Sequence, residues 1–546
     1  MRKLKLFAFL VVIAIVLAAC GSKDDKPSSS ADGDHGELVP EVTINTNPAD
    51  ESIVRYEAAL MFQEEWEALG ISTKIEALEV NTSLAKIYDS DPRDYGAYIS
   101  GWTGRVERLD PDMFIYSVFH SSNADVGGNN ASGLILDEFD ELAEQQRVEV
   151  DMDKRRELVF EAQEILADEV PIYTMYVPSL VQAYNKDKFD NIPAMAGEGL
   201  FSEWTPMMAE PLTDDKILKV AEVTDLDTTN PLAANTVYEW KNLRLIYDKL
   251  VRIGLDGTPQ PAAATDWDIV DDTTIDITLR DGMTFHDGEP VDVEDVKFTF
   301  DYMIEWNTPY FLAFLNPIES VEVVDDETVR FNLNEPYAPF INNTLAQIPI
   351  LPKHIWEDID NPSEEVNEHP IGSGPFKFKH WRRGEELATE TFEDFYEDIE
   401  VDGYIYVVFS NHEGMIAALE KEEVDVTRTL QAPHVKIADE LPFVQIEDKA
   451  DLGWQYIGFN IREKPFDDKA FRQALAHTID TETIVDVHME GLAELGGAGL
   501  VISPANEFWY NPDVDRRDYD PEKARQILEE AGYTWDDEGR LRYPKE

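Results

Sequence analysis

The chain has 546 residues, 43% of them hydrophobic and 11 of them tryptophan. That is too long for one hydrophobic core and too apolar for a disordered chain, so two or three globular domains are expected. Asp and Glu number 111 against 46 Lys and Arg, a formal charge of −65, which excludes nucleic acid as a partner because neutralising phosphates takes a basic surface. The acids are spread through every segment like a solvated surface, and salt would screen their self-repulsion; the expectation is a halophilic acidic protein.

The N-terminus MRKLKLFAFLVVIAIVLAAC carries Arg2, Lys3 and Lys5, then an apolar run from Leu6 to Ala19. The run is short for a membrane span and reads as a secretory signal. It ends in Leu17-Ala18-Ala19-Cys20, similar to the bacterial lipobox, in which the cysteine is lipidated and becomes the new N-terminus. Cys20 is the single cysteine, so an internal disulfide and a cysteine-built zinc site are excluded. Residues 21–38, GSKDDKPSSSADGDHGEL, are a polar tether.

Residues 41–47 (EVTINTN) alternate like a strand. Residues 50–69 predict a helix with Ile53, Tyr56, Leu60 and Leu69 near one face and Gly70 as its stop, and 71–78 give a second strand. This strand–helix–strand order points to an α/β domain. Helices follow over 137–147 and 153–168, then a strand over 172–177. A further strand at Leu218, Val220 and Glu222 leads into an apolar helix through Leu243, Ile246 and Leu250. Two hairpins, 267–285 and 321–333, each turn at an Asp-Asp pair. Between them, 292–304 is a helix with Val296, Phe300 and Met303 inward. The last helix spans 521–531, and GRLRYPKE closes the chain as a strand-like stub with nothing to pair with locally.

Catalytic signatures are missing: the chain has no G-x-S-x-G, H-E-x-x-H or Walker sequence, so no enzyme and no cofactor are expected. His286-Asp287 reads as a capped turn, and the acidic run 513–520 lacks the glycine of a calcium loop. The ten histidines are scattered, and no metal site is expected.

LRDGMTFHDGEPVDVEDVKFTFDYM (279–303) resembles the signature of the family 5 extracellular solute-binding proteins, the peptide and nickel binders of ABC importers. GSGPFKFKHW (372–381), GFNIREKPFDDKAFRQALAHTID (458–480) and YDPEKARQILEEAGY (519–533) resemble later landmarks of that family. SGWTGRVERLDPDMFIYSVFHSSN (100–123) and RRELVFEAQEILADEVPIYTMY (155–176) resemble the motifs near its C-terminal end. Here those last motifs come first, so the resemblance implies a circularly permuted protein whose ancestral start lies near 217. The alternative, a truncated protein joined to a neighbour's tail, would more readily duplicate or lose a block, whereas each block occurs once.

The resemblance implies a periplasmic-binding-protein-like fold of two α/β lobes with an extra small domain, closing over a ligand. The expected division is a signal peptide (1–20), tether (21–39), second lobe (40–185 and 454–546), first lobe (186–258, with a joining loop at 206–216, and 372–453) and small domain (259–371). The implied function is an ABC importer's substrate-binding lipoprotein for peptides or similar small organic solutes. It would be a monomer, lipid-anchored on the outer face of the cytoplasmic membrane and working with a permease and an ATPase. A surface hydrolase or polysaccharide-binding protein with an acidic cleft is the alternative. Trp102 and Tyr456 match positions that line the family's cleft, with Val237 and Tyr238 facing them from the other lobe. In dipeptide-binding members an aspartate follows GWTG and pairs with the peptide's α-ammonium. Here Arg105 stands there, with Arg108 in a loop two residues longer, and a guanidinium suits a carboxylate or phosphate instead.

Overall fold

The computed structural model describes residues 36–545 apart from residue 309; the signal with Cys20, and the tether up to residue 35, lie outside the described residues. The core of the molecule is a sheet of twelve strands organised around the strand Ile172–Asn185, fourteen residues long. Its first half pairs antiparallel with Trp454–Phe459 and Ala493–Ala498, and its second half with Val426–Thr427 and Val444–Ala450. Beyond Trp454–Phe459 the sheet continues through Ala97–Trp102, Val42–Thr46 and Thr73–Ala77. Beyond Val426–Thr427 it continues through Ile217–Glu222, Gly403–Val408, Glu386–Thr391 and Phe376–Arg382. The sheet therefore has two halves joined by one shared strand near Pro178, and the chain crosses between them again at 450–454.

The strand–helix–strand unit expected at the start is Val42–Thr46, Ile53–Ala68 and Thr73–Ala77, with the two strands parallel. Parallel neighbours require a crossover helix, which the middle segment supplies. Its buried face is Ala58, Ala59, Phe62 and Trp66 rather than the expected row, because Ile53 and Leu60 point to solvent at 54% and 39% exposure. Trp66 decides the rotation: its ring packs against Phe459 and Phe466, and its indole N–H bonds the Thr478 hydroxyl at 3.1 Å.

The two Asp-Asp hairpins meet in one antiparallel sheet, Ala264–Asp271, Thr274–Leu279, Thr328–Leu333 and Ile318–Val323 in spatial order. The helix Val293–Glu305 covers it, with Val296, Phe300 and Met303 at 1% exposure or less. His286 is half-buried; it bonds the Gly374 carbonyl through Nε2 at 2.9 Å, so the turn of GSG is fastened to this unit. Burial lowers its pKa to about 4.

The chain's last residues do have a local partner. Leu541–Arg542 pairs with Thr534–Trp535 in a short hairpin, which the sequence reading missed because a two-residue strand leaves no periodic signal. The same segment meets the first described residues: Val39 N–H bonds the Leu541 carbonyl and Tyr543 N–H the Glu37 carbonyl. Among the described residues no helix is long and apolar enough to cross a membrane.

Candidate ligand cavity

A cavity of about 410 Å³ opens where the two sheet halves face each other. Thr103, Gly104 and Arg105 approach it from the loop after the strand Ala97–Trp102, and Glu222 sits at the C-terminal end of Ile217–Glu222. The first turn of the helix Val237–Ile246 brings Val237, Tyr238 and Lys241. Leu180 and Gln182 come from the shared strand, and Asp451 from the second crossover. Ligand crevices in open α/β sheets lie beyond the carboxyl ends of strands, as here. Gly104 is required for the close approach: a Cβ there would lie 1.5 Å from the Asp451 carboxylate.

Most charges around the cavity are paired. Arg244 donates to both oxygens of Glu198, at 3.0 and 2.8 Å. Arg428 pairs with Glu222 at 2.8 Å and lies over the Tyr238 ring at 5.8 Å. Burial raises the Glu222 and Asp451 carboxyls above their ordinary values, and Asp451 accepts the Gly453 N–H at 2.8 Å. Burial pushes the Lys241 ammonium down; it lies 4.9 Å from the centre of the Phe201 ring.

The residues singled out from sequence divide into two groups. Arg105, Val237 and Tyr238 line the cavity together. Tyr456 does not: it is 3% exposed, its ring set edge-on to Tyr98 at 5.8 Å and to Trp454 at 5.0 Å. Alternation along Trp454–Phe459 sends its side chain into the core face of the sheet, so the expectation of a cleft-lining Tyr456 is corrected. Trp102 is half-buried and packs edge-on to Phe114 at 6.3 Å, outside the cavity lining. Arg108 turns back over the Trp102 ring at 5.0 Å and bonds the Thr103 carbonyl, which places it beside the entrance loop rather than in the lining. Sequence reading missed Glu198, Lys241, Arg428 and Asp451. Lys241 follows Tyr238 by three residues, the helical spacing that puts both on one face; the other three carry no local signal.

Farther along the same loop lies a second charged group. Arg155 donates to both oxygens of Asp110, at 2.8 and 2.6 Å, and both residues are fully buried. Asp112 accepts from Gln146 at 2.7 Å and pairs with Arg147 at 3.1 Å, and burial raises its carboxyl to about 6. Arg147 also lies over Tyr116 at 4.0 Å and Tyr337 at 5.4 Å, tying this half to the small antiparallel unit. Among the described residues no three His, Cys, Asp or Glu side chains are grouped to hold a metal ion.

The fold is thus a mixed α/β sheet in two halves with a polar cavity between them. The family model described as bacterial extracellular solute-binding proteins, family 5 middle, matches residues 258–546, more than half of the chain, and the protein belongs to that family. It is 34% identical over 272 residues to the oligopeptide-binding protein AppA of Bacillus subtilis, covering 47% of this chain and 48% of the relative. It is 25% identical over 323 residues to a dipeptide-binding protein of Escherichia coli, covering 55% and 60%. The chain thus spans about half the length of the curated relatives it matches. A solved structure of the Bacillus subtilis AppA in complex with a nonapeptide aligns with a TM-score of 0.49 and 28% identity, over 60% of this chain and 66% of that one.

Proposed function

We propose that the protein is the extracytoplasmic substrate-binding component of an ABC importer, capturing peptides or similar small organic solutes in the cavity between the sheet halves. The observation that carries this reading is the cavity itself, lined from both halves and crossed at its base by the shared strand Ile172–Asn185. Family membership and the oligopeptide- and dipeptide-binding relatives support it. Closure of the halves over a solute would be the signal that a permease reads. Mass spectrometry of small molecules that co-purify with the protein tests it: peptides in the bound fraction are expected, and a consistently peptide-free, solute-free preparation that binds no added peptide would sink it.

The same reading makes the chain a circular permutant, with 40–185 and 454–546 as one lobe, 186–258 and 372–453 as the other, and 259–371 as the small domain. The pairing of Glu37 and Val39 with Tyr543 and Leu541 supports it, since the two ends meet where an unpermuted relative would run straight on. Moving 40–205 behind residue 545 should give a protein with the same unfolding midpoint. Anchoring through Cys20 is proposed from the lipobox; Cys20→Ser should release the protein from membranes and abolish lipid labelling. A melting temperature that failed to rise from dilute buffer to molar salt would remove the halophilic reading.

A further inference from the structure

We propose that the inner end of the cavity is a subsite for an anionic oxygen group, a carboxylate or a phosphate, held by Arg105, Lys241 and the Trp240 indole N–H. The proposal rests on the reading of the cavity as a solute site. The inner end is a recess of about 50 Å³ that shares Gly104, Arg105, Glu198 and Lys241 with the main chamber and adds Val106, Trp240 and the Glu198-paired Arg244.

What distinguishes the recess is a surplus of donors. Trp240 is 5% exposed, its ring stacked on Tyr310 at 5.5 Å, yet its Nε1 has no acceptor. The Arg105 Nε is buried and also lacks one. Lys241 makes no hydrogen bond or ion pair among the described residues; it lies against the Phe201 ring, and the Glu198 and Glu222 carboxylates attract it only from beyond contact distance. Buried donors are paired almost without exception in folded proteins, so an unpaired set sharing one recess implies an acceptor that arrives with a ligand. None of the nearby acids supplies it. Arg244 occupies both oxygens of Glu198, Arg428 holds Glu222, and Asp451 takes the Gly453 N–H and lines only the outer chamber.

Charge and geometry agree with that conclusion. In a chain with more than twice as many acids as bases, two cations without a carboxylate partner in one recess run against composition. The recess lies along one side of the helix Val237–Ile246, where Val237, Trp240, Lys241 and Arg244 share a face. A planar guanidinium and a point ammonium flanking an indole N–H match the three or four acceptor sites of a carboxylate or phosphate. An α-ammonium would meet two like charges and be rejected, whereas Asp451 in the outer chamber leaves a place for a cationic or neutral end.

Two probes separate the subsite from the peptide reading. N-acetyl-trialanine with a free carboxylate, titrated against the same peptide as its carboxamide, isolates the anionic end; the acid should bind at least tenfold tighter. Inorganic phosphate, compared with sodium chloride at equal ionic strength, should compete with the acid and raise the melting temperature. Lys241→Met, Arg105→Gln and Trp240→Phe should each reduce the acid-to-amide ratio below threefold and weaken phosphate. Acid and amide binding equally to the unaltered protein would overturn the subsite even if the variants failed to fold. Phosphate binding that is lost in Lys241→Met, with neither peptide bound, would keep the subsite and remove the peptide reading. No response to phosphate or either peptide would overturn both.

Discussion

Two clusters of buried charge lie within a few residues of each other on the loop 103–112, and they are built on opposite plans. Around Asp110 and Asp112 every cation meets a carboxylate: Arg155 is held bidentately, and Arg147 pairs with Asp112 while lying over Tyr116. Around Arg105, Lys241 and Trp240 the donors outnumber the acceptors. Both clusters hold buried polar atoms, so burial alone does not separate them. Completeness of pairing does. A closed network fixes the loop and reports on stability, whereas an open one reports on what the site is shaped to receive.

The comparison can be broken most severely by removing a whole partner. Residues 217–546 expressed alone keep Trp454–Phe459 but lose both of its neighbours, Ala97–Trp102 and Ile172–Asn185. That fragment should lack a cooperative thermal transition, checked by calorimetry. Next in size is Arg155→Met, which strands a buried Asp110 carboxylate. The expected loss is about 3–5 kcal/mol, read from denaturant midpoints; a loss no larger than that of a surface substitution would make the closed network incidental.

Asp112 supplies a pH test of the same network. Its folded pKa, about 6, lies above the ordinary carboxyl value because burial disfavours the charged form, with Asp110 adding to the rise against Arg147 and Arg155. A raised folded pKa gives stability that is complete at about pH 4 and declines as pH climbs through about 6. The decline should be on the order of 2 kcal/mol and should flatten in Asp112→Asn, measured as the denaturant midpoint against pH. Smaller still is Trp102→Ala. Truncating a half-buried ring should cost about 1–3 kcal/mol of stability while leaving solute affinity within twofold by titration calorimetry. The smallest effect is expected for Lys241→Met, within about 0.5 kcal/mol of the native stability, because no hydrogen bond or ion pair is lost and burial already disfavours the ammonium. A large destabilisation there would place Lys241 with the closed network instead.

How much of this was legible depended on how local each signal was. The Asp-Asp turns of the two hairpins and the inward row Val296, Phe300 and Met303 could be read because both are written within a few residues. That the hairpins share one sheet could not, since the pairing of Thr274–Leu279 with Thr328–Leu333 is a contact between distant segments. The first helix shows the limit of periodicity: its apolar residues allow two faces, and Trp66, through its partners at 459, 466 and 478, selects one. At the site, Arg105 was visible because it replaces an aspartate in a recognisable motif. Tyr456 was misassigned because alternation says that successive side chains face opposite ways but not which face carries the cavity. Asp451 and Arg428 reach the cavity only through crossovers and strand ends that no short pattern encodes.

The shared strand has a kinetic consequence. The sheet half that begins at Val42 is completed by Trp454–Phe459 and Ala493–Ala498, and Leu541 bonds Val39 and Gly70 beside it. A chain emerging N-terminus first cannot complete that half until most of its length is available, because the partners of Ala97–Trp102 lie about 350–360 residues downstream. The half whose strands begin at Ile217 has its last strand, Val444–Ala450, in hand before Ala493–Ala498 is made. The first residues made therefore have only each other to pair with, through Val42–Thr46, Thr73–Ala77 and Ala97–Trp102, and their half of the sheet waits for the C-terminal strands to be finished.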